Sequence, residues 1–199
     1  LTAADDTVRA FLAVALPEPV RDALAAWVAA EREAPWARAV RWVRRESLHL
    51  TLRFLGEIAP ARLEAVRDAA ARVAADHADC VVPFVEVGPF PSARRPRVVA
   101  ARLADVPELL ALAADLEDAV VACGLAPESR RFHPHVTLGR VRGRLAGRMP
   151  ASGDVRVDPL PVGEVVLLRS ELTREGARYT ALDRFALRGA ARSPAGEEV

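Results

Sequence analysis

Apolar residues recur along this 199-residue chain with two periods, 2 and about 3.6, in alternating blocks that predict strands and helices in turn. "VRAFLAVAL" (8–16) is a short apolar run closed by Pro17, the pattern of a buried strand. Residues 17–33 then set Val20, Leu24, Trp27 and Val28 on one face behind an opening proline, which predicts a helix. "VRWV" (40–43) predicts a short strand. "LHLTLRFLGE" (48–57) alternates strictly, with Leu48, Leu50, Leu52 and Phe54 on one side and His49, Thr51 and Arg53 on the other. A second helix over 60–79 aligns Leu63, Val66, Ala70 and Val73. The order then recurs: strands at 81–90 and 96–103, a helix at 107–124 stopped by Gly124, and a strand at 135–141. In that last strand Val136 and Leu138 point inward, and His135, Thr137 and Gly139 outward. Strands at 162–172 and 177–187 flank a "TREGA" turn. The 143–161 stretch reads as loop with one short strand near Val155, and 189–199 as a loose tail.

Helices mixed with hairpins and crossovers make this an α+β chain, and the recurrence is an approximate internal duplication. Residues 1–188 read as a single domain of two lobes facing each other across a cleft. A 51% hydrophobic content supplies a core and excludes the disordered class. No apolar run reaches 18 residues, so no membrane span is expected, and the acidic N-terminus is unlike a signal peptide. Cys80 and Cys123, far apart and without CxxC spacing, are expected as reduced thiols of a cytoplasmic protein. Nothing calls for an oligomer or an obligate protein partner. A net charge of +1 argues against a general nucleic-acid coat. Yet every basic residue is arginine, and clusters at Arg38, Arg41, Arg44, Arg45 and Arg53 and from Arg130 to Arg148 flank the two histidine strands. The guanidinium fork is suited to phosphate.

The chain has four histidines and spends two on one pattern, His-x-Thr-Leu, at 49–52 and 135–138. On a strand, residues i and i+2 share a face about 7 Å apart, so each motif sets an imidazole beside a hydroxyl. Two such faces opposed across a cleft bring together two groups that exchange protons near neutrality and two donors for anionic oxygens. One imidazole can activate an incoming oxygen while the other protonates a departing one, a division of labour that suits phosphoryl transfer. Arg53 shares the face of His49 and is a candidate substrate contact. Phe11, Phe54 and Phe132 are candidates to stack on a base. His133 stands in His-x-His spacing with His135, with His49 a candidate third ligand, a weak metal signal because no cysteine and only the carboxylates Glu57 and Glu128 lie near either motif. His77 at a helix end and Trp27, Trp36 and Trp42 read as structural.

"RWVRRESLHLTLRFLGE" and "RRFHPHVTLGR" closely resemble the paired signatures of the two-histidine (2H) phosphoesterases, in particular the RNA 2′,3′-cyclic phosphodiesterases also described as 2′-5′ RNA ligases. "RAFLAVALP", "VGPFPSARRPRVVAARL" and "LLRSELTREGARYTAL" extend the similarity over nearly the whole chain. The resemblance implies two antiparallel sheets with flanking helices related by a pseudo-twofold, one His-x-Thr strand per lobe, and no metal or organic cofactor. It implies hydrolysis of a terminal ribose 2′,3′-cyclic phosphate, on RNA ends or nucleotides, to a 2′-phosphate. His49 then becomes the proton donor and His135 the acceptor, with Thr51, Thr137 and Arg140 on the phosphate, although Arg140 lies off the polar parity of its strand. The internal symmetry leaves donor and acceptor undistinguished by the residues themselves. Rival chemistries at the same site are 2′-5′ ligation, opening of another small cyclic phosphate and cleavage of a 2′-5′ linkage. A non-catalytic RNA-end-binding module is the rival of another class, separable by a steep salt dependence. Two-histidine catalysis predicts a bell-shaped pH profile with limbs near neutrality.

Overall fold

The computed structural model describes residues 7–143, 156–173 and 176–189. Its elements run β1 (Val8–Ala15), α1 (Glu18–Glu31), β2 (Val40–Trp42), β3 (His49–Ile58), α2 (Pro60–Asp76), β4 (Cys80–Val82), β5 (Phe84–Phe90), β6 (Val98–Leu103), α3 (Pro107–Ala122), β7 (His135–Val141), β8 (Leu160–Val162), β9 (Glu164–Thr173) and β10 (Gly176–Ala186). Each α-helix opens on a proline, whose missing N–H is one the first turn leaves unpaired anyway. Helix α3 ends where Gly124 takes φ +85°, a conformation that strains any residue with a Cβ. Pro83 divides the single strand expected over 81–90 into β4 and β5, which join different sheets. Strand β8 forms where a loop was expected. The strand expected near Val155 and the tail from 190 onward lie outside the described residues.

The large sheet has the order β10-β9-β1-β3-β7-β6-β5, with β2 added beside the end of β7, while β4 and β8 form a second, two-stranded sheet. The two antiparallel halves of the large sheet meet at one pair, Leu50 with Val136. Beyond it β3 leaves β7, and β2 takes the vacated edge with Val40 opposite Val141 and Arg41 opposite Arg140. The main core fills one face: Leu12, Val14, Leu50, Leu52 and Leu138 pack with Leu109, Leu112 and Leu116 of α3. A small cluster of Phe11, Ala13, Val166 and Leu168, with Tyr179 against it, forms on the sheet's other side. Trp27 and Trp36 pack edge-on around Trp42, and His77 ties the end of α2 to Asp115 of α3 at 2.7 Å. Cys80 and Cys123 are free thiols.

Both histidine strands carry a β-bulge at the same place. Thr51 pairs with Ala13 and Arg53 with Leu12, leaving Leu52 over; Thr137 pairs with Ala100 and Gly139 with Val99, leaving Leu138 over. An extra residue inverts the alternation downstream of it. Strict alternation put Arg53 on the face of His49 and Phe54 in the core, and the bulge exchanges them. Arg53 is 8% exposed and turned toward α3, whereas Phe54 is 54% exposed. In β7 the same slip brings Arg140 round to the face of His135 and Thr137. The position equivalent to Arg53 is Gly139, where a Cβ would collide with Val40 and press on Trp42.

Candidate active site

The Leu50–Val136 pair is the centre of the site. Extending its antiparallel register by one residue each way sets His49 across from Thr137 and Thr51 across from His135. The four polar groups therefore alternate around a small square on one face of the sheet, over the seam between its halves. Each imidazole is held in the same way. Nδ1 of His49 lies 2.8 Å from the carbonyl of Ser47, and Nδ1 of His135 lies 2.7 Å from the carbonyl of His133. A carbonyl only accepts, so each Nδ1 carries the proton and each Nε2 is left free for the chemistry. The carbonyl two residues upstream is available because both motifs begin their strands.

Aromatic rings confine each imidazole. Phe11 and Tyr179 flank His49, with ring centroids 4.8 and 5.0 Å away, and Phe90 stacks on His135 at 4.5 Å. Burial beneath these rings drives His49 down to about 4, against the opposing pull of the Ser47 carbonyl, and the charges of Arg140 and His135 add to the drop. Burial likewise lowers His135, again opposed by its carbonyl partner, with His133 and Arg140 contributing. The Tyr179 hydroxyl is raised by burial, and Arg140 and Arg9 work against that rise. Arg140 is thus felt by both imidazoles and by Tyr179, which places its charge at the middle of the site. Both rings are neutral at pH 7 in the unliganded protein.

Residues 14–100 and 104–179 match the LigT-like phosphoesterase family. The chain belongs to that family. Over 185 residues it is 33% identical to the RNA 2′,3′-cyclic phosphodiesterase of Methanothermobacter thermautotrophicus, spanning 90% of this chain and 99% of that one. The corresponding protein of Thermus thermophilus is 35% identical over 194 residues, spanning 92% and 91%. Escherichia coli LigT complexed with 3′-AMP superposes with a TM-score of 0.75 at 30% identity, over 92% of this chain and 99% of the other. The expected α+β architecture of the family is the one observed.

Within this phosphoesterase the structure brings together His49, His135, Thr51, Thr137, Arg140 and Phe54. It removes Arg53 from the substrate face: Arg53 pairs with Glu117 of α3 and donates to the carbonyls of Phe54 and of Ala126, the latter at 2.6 Å. Phe132 packs half-buried against the main core and makes no ring contact with either imidazole. Phe11, 3% exposed, has no free face for a base and serves as a wall for His49. Phe90 and Tyr179 were not anticipated. The signal available for Tyr179 was its being the single tyrosine of the chain, on an otherwise amphipathic strand. A recess of about 450 Å³ between Arg53, Phe54, Arg62 and residues 124–129 contains neither imidazole. His133 lies edge-on to Phe90, and among the described residues no three His, Cys, Asp or Glu side chains converge as metal ligands. Among those residues, no helix is long and apolar enough to cross a membrane.

Proposed function

We propose that this chain hydrolyses a terminal ribose 2′,3′-cyclic phosphate to a 2′-phosphate by paired general acid and base catalysis at His49 and His135. One observation carries the reading: two imidazoles, each anchored through Nδ1 to the carbonyl two residues upstream, alternate with two threonines over one strand pair. The relatives named as RNA 2′,3′-cyclic phosphodiesterases supply the substrate class.

In this reading a water molecule attacks phosphorus and passes its proton to Nε2 of His135. The bond from phosphorus to O3′ breaks, and O3′ takes its proton from Nε2 of His49. Thr51 and Thr137 donate to the two non-bridging oxygens, and Arg140 offsets the charge they gain in the transition state. His49 enters the cycle protonated although its ring is neutral in the empty site. The monoanionic substrate supplies the counter-charge that raises its proton affinity on binding. Afterwards His135 holds one proton and His49 has lost one, and exchange with solvent resets the pair. Phe54 keeps a free face beside the site for the terminal base. An RNA end as substrate fits a cytoplasmic, monomeric enzyme.

The direct test is phosphorus NMR on a nucleoside 2′,3′-cyclic monophosphate with EDTA present. The expected product is the nucleoside 2′-phosphate. A 3′-phosphate product would exchange the roles of the two histidines, and a cyclic phosphate left unchanged both here and on a longer RNA end would remove the hydrolase reading.

The direction of the pKa shifts also determines the pH profile. kcat/KM reports the free enzyme, which must carry a proton on one ring and none on the other. Both rings titrate below the ordinary 6.5 and His49 near 4. The maximum is therefore expected below 6.5, with kcat/KM falling as pH rises through neutrality because the singly protonated pair is depleted. That moves the limbs to the acid side of the near-neutral profile expected from unperturbed histidines. A maximum above pH 7 would contradict the burial argument.

A further inference from the structure

Arg41 and Arg140 are direct cross-strand partners in the β2–β7 ladder. Such partners share a face with Cβ atoms about 4.5–5.5 Å apart, and like charges so placed repel. No described carboxylate lies within ion-pair reach of either arginine, whereas Arg45, Arg67, Arg102 and Arg184 each have one. Two like charges side by side on a functional face suit a bound anion that offsets their repulsion. One anion, the cyclic phosphate, engages Arg140 in the reading above. Arg41 is farther out: it contributes to neither histidine's shift, while Arg140 contributes to both. Its guanidinium extends to the other half of the sheet, where a Cβ on Gly176 of β10 would lie 3.4 Å from Nη2. Arg142, exposed and two residues beyond Arg140, adds a further positive charge just past the end of β7.

We infer that Arg41 binds the internucleotide phosphate next to the terminal cyclic phosphate and so sets the preference for an oligonucleotide end over a free cyclic mononucleotide. This rests on the hydrolase reading and adds the length of substrate to it. Two guanidiniums on neighbouring strands hold two successive phosphates of one chain, Arg140 the reacting one and Arg41 the one on its 5′ side. A mononucleotide has no second phosphate and leaves Arg41 unused. Phosphate contacts of this kind position the chain without reading its bases.

The test compares kcat/KM on a nucleoside 2′,3′-cyclic monophosphate and on a dinucleotide ending in the same group, for the wild type, Arg41→Gln and Arg41→Lys. The wild type is expected to favour the dinucleotide by on the order of tenfold, the scale of a charge-assisted contact. Arg41→Gln should collapse that ratio toward one, and Arg41→Lys should retain part of it. The salt dependence of the dinucleotide reaction should be weaker in Arg41→Gln than in the wild type, since one charge contact to phosphate is lost. Relief of the like-charge pair should leave the melting temperature of Arg41→Gln equal to or above that of the wild type. Turnover of both substrates at equal kcat/KM by the wild type would overturn the inference and leave the hydrolase reading standing. So would an equal loss on both substrates in Arg41→Gln. Failure of the wild type on both substrates would remove the hydrolase reading and this inference with it.

Discussion

His135→Ala is expected to lower kcat on a 2′,3′-cyclic phosphate by roughly 10²–10⁴, the usual contribution of one positioned proton-transfer group. The fold should survive. The ring is half-buried, stacks on a single aromatic neighbour, and spends its one hydrogen bond on a carbonyl at the start of its own strand. The cavity left opens toward solvent, so no polar atom is stranded. His49→Ala should lose activity on the same scale, with a larger stability change, because Phe11 and Tyr179 both lean on that ring. The two losses should not add: a site lacking either proton partner already follows the slow route, so the double variant should resemble the singles. Initial rates followed by phosphorus NMR, with circular-dichroism melts beside them, measure both quantities. More than about a tenth of wild-type kcat remaining in His135→Ala would sink the assigned role.

Arg53→Ala is expected to act on stability and spare the chemistry. The Arg53 side chain is 9% exposed, and its partner Glu117, at 25%, also receives the backbone N–H of Glu128 at 2.7 Å. Removing the guanidinium leaves a three-quarters-buried carboxylate without its ion-pair partner and two carbonyls, those of Phe54 and Ala126, without their side-chain donor. Breaking a buried pair in this way typically costs about 3–5 kcal/mol. For a chain of this length that is a fall in Tm of roughly 6–20 °C. Replacing both members, as Arg53→Met with Glu117→Met, should recover much of the loss, since no buried charge then lacks a partner. Below the melting transition kcat and KM should match the wild type. An unchanged Tm with a raised KM would instead return Arg53 to the substrate face, where unbroken strand alternation had put it.

That contrast marks where the amino-acid pattern stops being informative. Periods of 2 and 3.6 locate nearly every element, and the repeated His-x-Thr identifies the four central polar groups, because both signals are local. The bulges are not local. "HLTLRF" alternates without a flaw, and Arg53 faces inward because Glu117, on a helix far along the chain, waits there. Gly139 fits its slot because β2 crosses behind it. Phe90 and Tyr179 are brought to the imidazoles by the sheet order, β10-β9-β1-β3 on one side and β7-β6-β5 on the other. No neighbouring residue announces that order. Arg140 was legible through the family motif alone and is explained by the bulge at Leu138.

The matched bulges have a consequence for fidelity. Two equivalent histidines, two equivalent threonines and two equivalent slips in register describe a machine that nearly superposes on itself after a half-turn. A cyclic phosphate has the same ambiguity, since either of two ribose oxygens can depart. A fully symmetric site would have no means of telling them apart and would release a mixture. The first residue to break the equivalence on the working face is the one just past each slip, Phe54 in one half and Arg140 in the other. In the proposed reaction the choice of which bond to cut falls to such differences, an apolar ring against a cation here and two rings against one around the imidazoles, and the catalytic groups need only be fast.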